Sequence, residues 1–236
     1  MKQFLAAILC LSLIFSCAEL QQVVDSLPQD TGGVLGNADI AAGLRQALDL
    51  GIDKQVTKLT AKDGFFKNEL VKIVLPEELQ KVDNTLRKVG LSNLADKGLK
   101  VLNRAAEDAV KEATPIFINA VKDITFDDAK NILLGENNAA TSYLTSKTQT
   151  ELYNKFKPVI DNSFNKVGAD QIWTNMITKY NNLPLTNNVN PDLTDYVTNE
   201  ALKGVYKMIA VEEMEIRSKA SSRTTDLLKK VFALQD

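Results

Sequence analysis

The sequence predicts an all-α protein whose single domain holds about eight to ten helices, preceded by an N-terminal signal and a short flexible tether. Apolar residues recur at spacings of three and four along most of the 236-residue chain, which is the period of a helix face packed on a core. Runs that alternate apolar and polar residues are missing, as are the Asn-Gly turns that join such runs in hairpins. No segment repeats at a fixed length, which disfavours a solenoid.

Residues 1–16 have the features of a lipoprotein signal peptide. Lys2 precedes the apolar run Phe4–Phe15, which is too short to span a membrane. We expect cleavage before Cys17 and acylation of this residue by palmitate-type chains, which would anchor the protein in a membrane. The alternative is an ordinary secretory signal cleaved near Ala18. The match to a bacterial lipoprotein cleavage site is carried by Ile14, Ser16 and Cys17.

Residues 17–36 predict a tether, because Gln, Pro and Gly are frequent there and no helical period is sustained. Residues 37–236 then form the predicted domain. The only other cysteine, Cys10, lies in the signal and is lost with it, so no disulfide is expected in the mature chain.

The first half of the domain predicts four helices. The first begins at Asn37 or Asp39 and reaches about residue 59, with Gly51 as a position where it can break. A short helix is predicted over 67–74. The next runs from Pro76 in its first turn to a stop at Gly90. A long alanine-rich helix follows from Ser92, with Pro115 as its kink or break. Its predicted core stripe is Ala95, Leu99, Leu102, Ala106, Ala109, Ala113, Phe117 and Ala120.

The second half opens with a capping box, in which Thr125 and Asp128 start a helix that ends before Gly135. Asn190-Pro191 predicts the start of a long helix, and Thr224 or Thr225 the start of the last one. The remaining helices are predicted over 138–146, 148–166 with a kink at Pro158, 169–181, 191–217 and 224–232.

The composition excludes several classes of site. The chain has no histidine and a formal net charge of -2. Serine and cysteine hydrolases that use a histidine base are excluded, as are histidine-ligated metal centres. The near-neutral charge argues against nucleic-acid binding. Glycine-rich phosphate loops and calcium loops are also missing, and we expect neither a metal nor another cofactor.

Glu212 is the most unusual charged residue, because it falls in the middle of the apolar face of the 191–217 helix. A buried carboxylate needs a cation or hydrogen bonds, and the candidate partners are Arg104 and Arg223. Glu213 and Arg217 form a favourable i,i+4 pair beside it. Three interpretations are open: a structural salt-bridge network, a ligand or catalytic site, or a solvated Glu212 near a frayed helix end.

Other acidic residues have simpler interpretations. Glu107 and Asp108 lie opposite the alanine stripe, where we expect solvent, whereas Arg104 on the same face is either solvated or a buried clamp. Asp127 and Asp128 resemble a metal-binding pair, but their place in a first helical turn favours capping.

Five ordered blocks of the sequence resemble the domain-of-unknown-function 4197 family, which is found in exported proteins of Gram-negative bacteria. The resemblance covers about residues 38–233. It implies export and a single helical domain, and it implies no activity. The blocks are Phe65-x-x-Asn68 with Val71–Leu79, Leu102–Glu107 with Ala113–Phe117, Phe126–Leu133 with Ala139–Tyr143, Tyr196–Arg217, and Arg223–Phe232.

Together these observations predict a lipid-anchored, periplasm-facing protein that acts as a non-catalytic binding or scaffolding module. Its predicted partners are the membrane, through Cys17, and a protein or small molecule of unknown identity. Ala18-Glu19 lacks the Asp typical of inner-membrane retention, which favours the outer membrane. Two alternatives are a hydrolase or lyase built on Glu212 and an arginine, and a carrier of an apolar ligand.

Overall fold

The computed structural model of the chain describes residues 36–75, 77–88, 90, 92–166, 169–182 and 193–234. The predicted signal peptide, the acylation site at Cys17 and the tether up to residue 35 lie outside the described residues. The predicted helix starts at Pro76 and at Asn190-Pro191 lie outside them too.

The described residues form nine α-helices and one short 3-10 helix, and they contain no strand. The all-α prediction is therefore confirmed. The helices are α1 Asn37–Thr60, α2 Glu77–Lys88, α3 Ser92–Val110, α4 Ala113–Lys122, α5 Phe126–Leu133, α6 Ala139–Lys166, α7 Ala169–Asn181, α8 Thr194–Ser218 and α9 Asp226–Phe232, with the 3-10 turn at Ala220–Ser222.

Helix α8 is packed against α1, α3 and α6, and α3 also packs against α6. The small side chains of α3 allow this close packing, and Ala105, Ala106 and Ala109 are fully buried. Phe117 from α4 meets Tyr206 from α8 edge to face, with 6.0 Å between the ring centroids. The central part of the predicted alanine-rich stripe is thus confirmed as core.

The break predicted in the long alanine-rich helix is present, but it lies before Pro115. Helix α3 stops at Val110, and Pro115 falls in the first turn of α4, where its missing N–H is tolerated. Conversely, α6 is one continuous helix where two were predicted. Thr148 lies at the expected break, but its hydroxyl bonds the Leu144 carbonyl at 2.6 Å and the Tyr206 hydroxyl at 2.8 Å, which buries it in the core.

Residues 61–75, called the strap from here on, connect α1 to α2 in turns and extended backbone instead of the short helix predicted over 67–74. Asn68 favours a turn, because its side-chain oxygen accepts the Leu70 N–H at 3.1 Å. Further along, Asn103 of α3 accepts the Ile73 N–H at 2.8 Å and donates to the Ile73 carbonyl at 2.9 Å. Hydrogen bonds from Ile73 to α3 thus replace the backbone hydrogen bonds that a helix over 67–74 would make.

Candidate functional site

Glu212 is buried between α8 and α1, as the apolar face of α8 predicts, with 7% of its surface exposed. Helix α1 comes close because of Gly51, where a Cβ atom would lie 3.2 Å from Glu212 Cγ. Residues three and four positions after Gly51 share its face. Lys54 Nζ lies 2.6 Å from Glu212 Oε1, and Gln55 Nε2 donates to Oε2 at 2.5 Å. Glu212 therefore pairs with Lys54 and Gln55 rather than with the expected Arg104 or Arg223.

Glu213 points to a different neighbour, the start of α6. Its carboxylate accepts the backbone N–H groups of Ala140 and Thr141, each at 2.9 Å, and the Thr141 hydroxyl at 2.8 Å. The first N–H groups of a helix lack partners within the helix. Glu213 is therefore the N-terminal cap of α6, although it is supplied by another helix, and the positive end of the α6 dipole stabilises its charge.

Arg217 completes this arrangement one turn further along α8. Its Nε and Nη2 donate to Glu213 Oε1 at 3.0 and 2.9 Å, so Glu213 accepts five hydrogen bonds. The same guanidinium donates to the carbonyls of Ile132 at 2.8 Å and Leu133 at 3.3 Å. Since these carbonyls close α5, the Glu213–Arg217 pair joins the end of α5 to the start of α6.

Arg223 lies on the chain that leaves α8. It is buried, and it donates from Nε to the Ile216 carbonyl at 3.1 Å and from Nη2 to the Arg217 carbonyl at 3.0 Å. Its guanidinium also stacks over the Phe232 ring of α9, 5.9 Å from the centroid. Arg223 therefore closes the end of α8 and holds α9 against it.

Arg104 belongs to a separate cluster at the strap. It forms ion pairs with Glu107 and with Asp63, whose Oδ1 lies 2.5 Å from Nη2. Hydrogen bonding from Lys67 and the charge of Arg104 hold the pKa of Asp63 below its ordinary value. Glu107 also accepts the Phe65 N–H at 3.1 Å. The solvent exposure expected for Glu107 is wrong, because Glu107 turns inward to bind this backbone, whereas Asp108 is exposed as expected.

The comparisons identify the family. The model of the family described as "Protein of unknown function (DUF4197)" matches residues 34–233. The chain belongs to the DUF4197 family. Comparisons with curated proteins and with solved structures found no match.

In this DUF4197 protein the charged residues singled out from the sequence do not converge on one site. Glu212, Glu213 and Arg217 lie on the last turns of α8 and Arg223 on the chain that follows it, whereas Arg104 lies at the strap. A small cavity of about 20 Å³ lies where α1, α8 and α9 meet, with Leu48, Glu212, Arg217 and Phe232 in its wall. This volume admits about one water molecule. The Oε1 atom of Gln55 is buried without a hydrogen-bond partner.

In the described part of the chain, no group of three or more acidic or cysteine side chains comes together that could hold a metal ion. The Asp127-Asp128 pair behaves as its position predicts. Thr125 and Asp128 form the capping box of α5, with the Thr125 N–H 2.9 Å from Asp128 Oδ2. Among the described residues, no helix has the length and apolar character needed to cross a bilayer.

The sequence interpretation missed the residues that neutralise or orient these groups. Gln55 had a detectable signal, because it is a polar residue within the apolar face that Ile52, Val56 and Leu59 define on α1. Lys54 and Asn103 gave no such signal in the sequence. They occupy ordinary polar helix positions, and only the crossing of the helices brings them to their partners.

Proposed function

We propose that this DUF4197 protein is a lipoprotein of the Gram-negative cell envelope, acylated at Cys17, and that its helical domain is a non-catalytic binding or scaffolding module facing the periplasm. The outer membrane is its proposed location. The observation that supports a non-catalytic role is the use of the buried charges. Each charged residue that suggested a site binds a helix end, the strap or a neighbouring helix.

The proposed absence of catalysis rests on the state of the two buried carboxylates. A general acid or base must exchange a proton with substrate and be within hydrogen-bond reach of it. Both oxygens of Glu212 are engaged by Lys54 and Gln55, and Glu213 accepts five hydrogen bonds. The cavity beside them, about 20 Å³, is too small for a metabolite or an acyl chain. Binding on the outer surface is therefore the better-supported role.

Mass spectrometry of the membrane-extracted full-length gene product tests the anchor. We expect an intact mass that lacks residues 1–16 and carries a diacylglyceryl group and an amide-linked acyl chain on Cys17. The Cys17→Ser variant should remain unprocessed and carry no lipid. A wild-type mass that corresponds to cleavage at Ala18 without added lipid would exclude the anchor.

The same membrane preparation tests the binding role. Chemical crosslinking before extraction should join the wild-type protein to a specific envelope partner, and Glu212→Gln should preserve that crosslink because Glu212 is not a reacting group. If no specific crosslinked species forms with the wild type, the scaffolding role is contradicted, whatever the result for Cys17.

A further inference from the structure

Three exposed apolar side chains cluster where α5, α8 and α9 end. Leu134, Met214 and Leu234 are 68%, 57% and 54% exposed. They lie along an open groove of about 470 Å³. We call this surface the end groove and define it by Leu134, Gly135, Asn137, Met214, Ser218 and Leu234. Single exposed apolar residues are ordinary, whereas these three border one depression.

The end groove has a rigid base. Arg217 lies in its wall and binds the carbonyls of Ile132 and Leu133 immediately before Leu134. The same guanidinium is fixed by Glu213. The apolar side chains are therefore displayed on helix ends that are already tied together, so docking needs little ordering of the backbone.

The domain begins at the same end as the groove. Helices α1 and α9 run antiparallel: Gln46 pairs with Thr225, while Gly43 lies against Leu227 and Val231. Gly43 in the second turn of α1 therefore lies beside the last turn of α9, and the start of α1 is directed toward the end of α9 that Leu234 follows. The chain toward Cys17 leaves from Gly36 at this end.

Two exposed lysines beside the apolar side chains of the groove are available to an anionic surface. Lys130 lies one turn before Leu134 on α5, and Lys230 lies one turn before Leu234. Both lysines are exposed and have no ion-pair partner among the described residues. Nearby Glu215 is neutralised by Lys219 at 2.7 Å, whereas Glu136 and Asp39 of the first α1 turn have no cation partner among the described residues.

We propose that the end groove docks onto the surface of the lipid bilayer, with Leu134, Met214 and Leu234 in the interface and the two lysines at the lipid phosphates. This orientation rests on the proposed anchor at Cys17. At ~3.3–3.6 Å per residue, the segment between Cys17 and Gly36 can span at most roughly 65 Å. The anchor would therefore hold the groove close to the membrane and raise its effective concentration there.

Vesicle flotation of a chain without the anchor tests the proposal. The chain 18–236 retains every residue of the described fold and has no cysteine, since the two cysteines are Cys10 and Cys17. It should float with vesicles of phosphatidylethanolamine and phosphatidylglycerol. Combined replacement of Leu134, Met214 and Leu234 by Ser should lower vesicle binding by about ten-fold or more.

The matched control replaces three other exposed apolar residues, Leu50, Leu70 and Val74, by Ser; it should keep vesicle binding within about two-fold. Absence of flotation for the unsubstituted chain would overturn the proposal, and so would equal losses in the two triple variants. A concentration-dependent dimer that requires the groove residues and forms without vesicles would also overturn it, in favour of a second copy as the occupant.

A labelled variant gives a second readout that does not depend on the stability of a triple variant. Leu134→Cys in chain 18–236, carrying an environment-sensitive dye, should show a blue shift on addition of vesicles, whereas Leu70→Cys should not. An unshifted dye at position 134 contradicts docking. Because these chains lack Cys17, a failure to bind vesicles would contradict docking of the end groove but not acylation of Cys17. Conversely, an intact mass that shows an unmodified Cys17 would contradict the anchor but not the vesicle binding measured for chain 18–236.

Discussion

Two adjacent carboxylates on α8 are stabilised by different chemistry. Glu212 and Glu213 are about 100° apart around the helix, so one faces α1 and the other faces α6. Lys54 neutralises Glu212 and the Gln55 amide donates a hydrogen bond to it, whereas Glu213 is held by peptide N–H groups and an arginine. Each buried carboxylate is thus bonded from within the fold, as the burial of a charge requires.

Glu213→Ala should destabilise the protein by about 3 kcal/mol or more, because it leaves Arg217 buried without its counter-ion and removes the cap of α6. Glu215→Ala is the matched control on the same helix. Glu215 is half exposed and forms a surface pair with Lys219, so its loss should cost less than about 1 kcal/mol. Urea unfolding followed by circular dichroism measures both values. Similar losses for the two variants would show that the Glu213 cluster contributes little to stability.

At the scale of helices, side chains close the ends that the backbone leaves open. Glu213 caps the start of α6, Arg217 binds the end of α5, and Arg223 binds the end of α8. Local capping also occurs, since Thr225 accepts the Leu228 N–H at 3.2 Å at the start of α9. The structural consequence is that the helix ends around the end groove are tied to one another.

The capping box of α5 predicts a pH-dependent contribution to stability. Hydrogen bonds from the Thr125 N–H and hydroxyl lower the pKa of Asp128 below its ordinary value of 3.8. The stabilisation is therefore fully present above pH 3.8 and is lost as the pH falls through the lower pKa of the folded state. Asp128→Asn should cost about 0.5 kcal/mol at pH 7, and this cost should shrink toward zero as the pH falls through the lowered pKa of Asp128 in the folded state. Equilibrium unfolding from pH 7 into the acid range measures the cost of Asp128→Asn, with Asp127→Asn as the control. A cost that persists unchanged at low pH would contradict the assignment.

Local signals predicted the helix boundaries that depend on neighbouring residues. Thr125, Thr225 and Ser92 begin their helices, or cap them, where the sequence places the start. The errors occurred where tertiary contacts decide. Thr148 continues α6 because of Tyr206, and the strap avoids a helix because Asn103 binds its backbone.

At the scale of the whole molecule, the burial of Glu212 could be predicted but its partners could not. Burial follows from the period of α8, whereas Lys54 and Gln55 depend on α1 crossing at Gly51. The end groove could not be predicted from the sequence either, because Leu134, Met214 and Leu234 come from three separate segments. Their shared location is a property of the assembled fold and of the arginine that ties the helix ends together.

The strap connects distant parts of the fold, because it packs between α3 and α8. Asn103 and Glu107 hold it from one side, while a Cβ at Gly204 of α8 would lie 2.7 Å from Phe65 Cε1. Since Phe65 is fully buried, a side chain at Gly204 can be accommodated only if the strap or α8 shifts. Gly204→Val should therefore lower the free energy of unfolding by about 2 kcal/mol, despite the gain in helix propensity over glycine. Lys203→Val introduces the same side chain at the adjacent exposed position and should cost about 0.5 kcal/mol. Urea unfolding compares the two, and limited proteolysis should cut the strap faster only in Gly204→Val. Equal stability and equal cleavage would show that the strap is free to move away from α8.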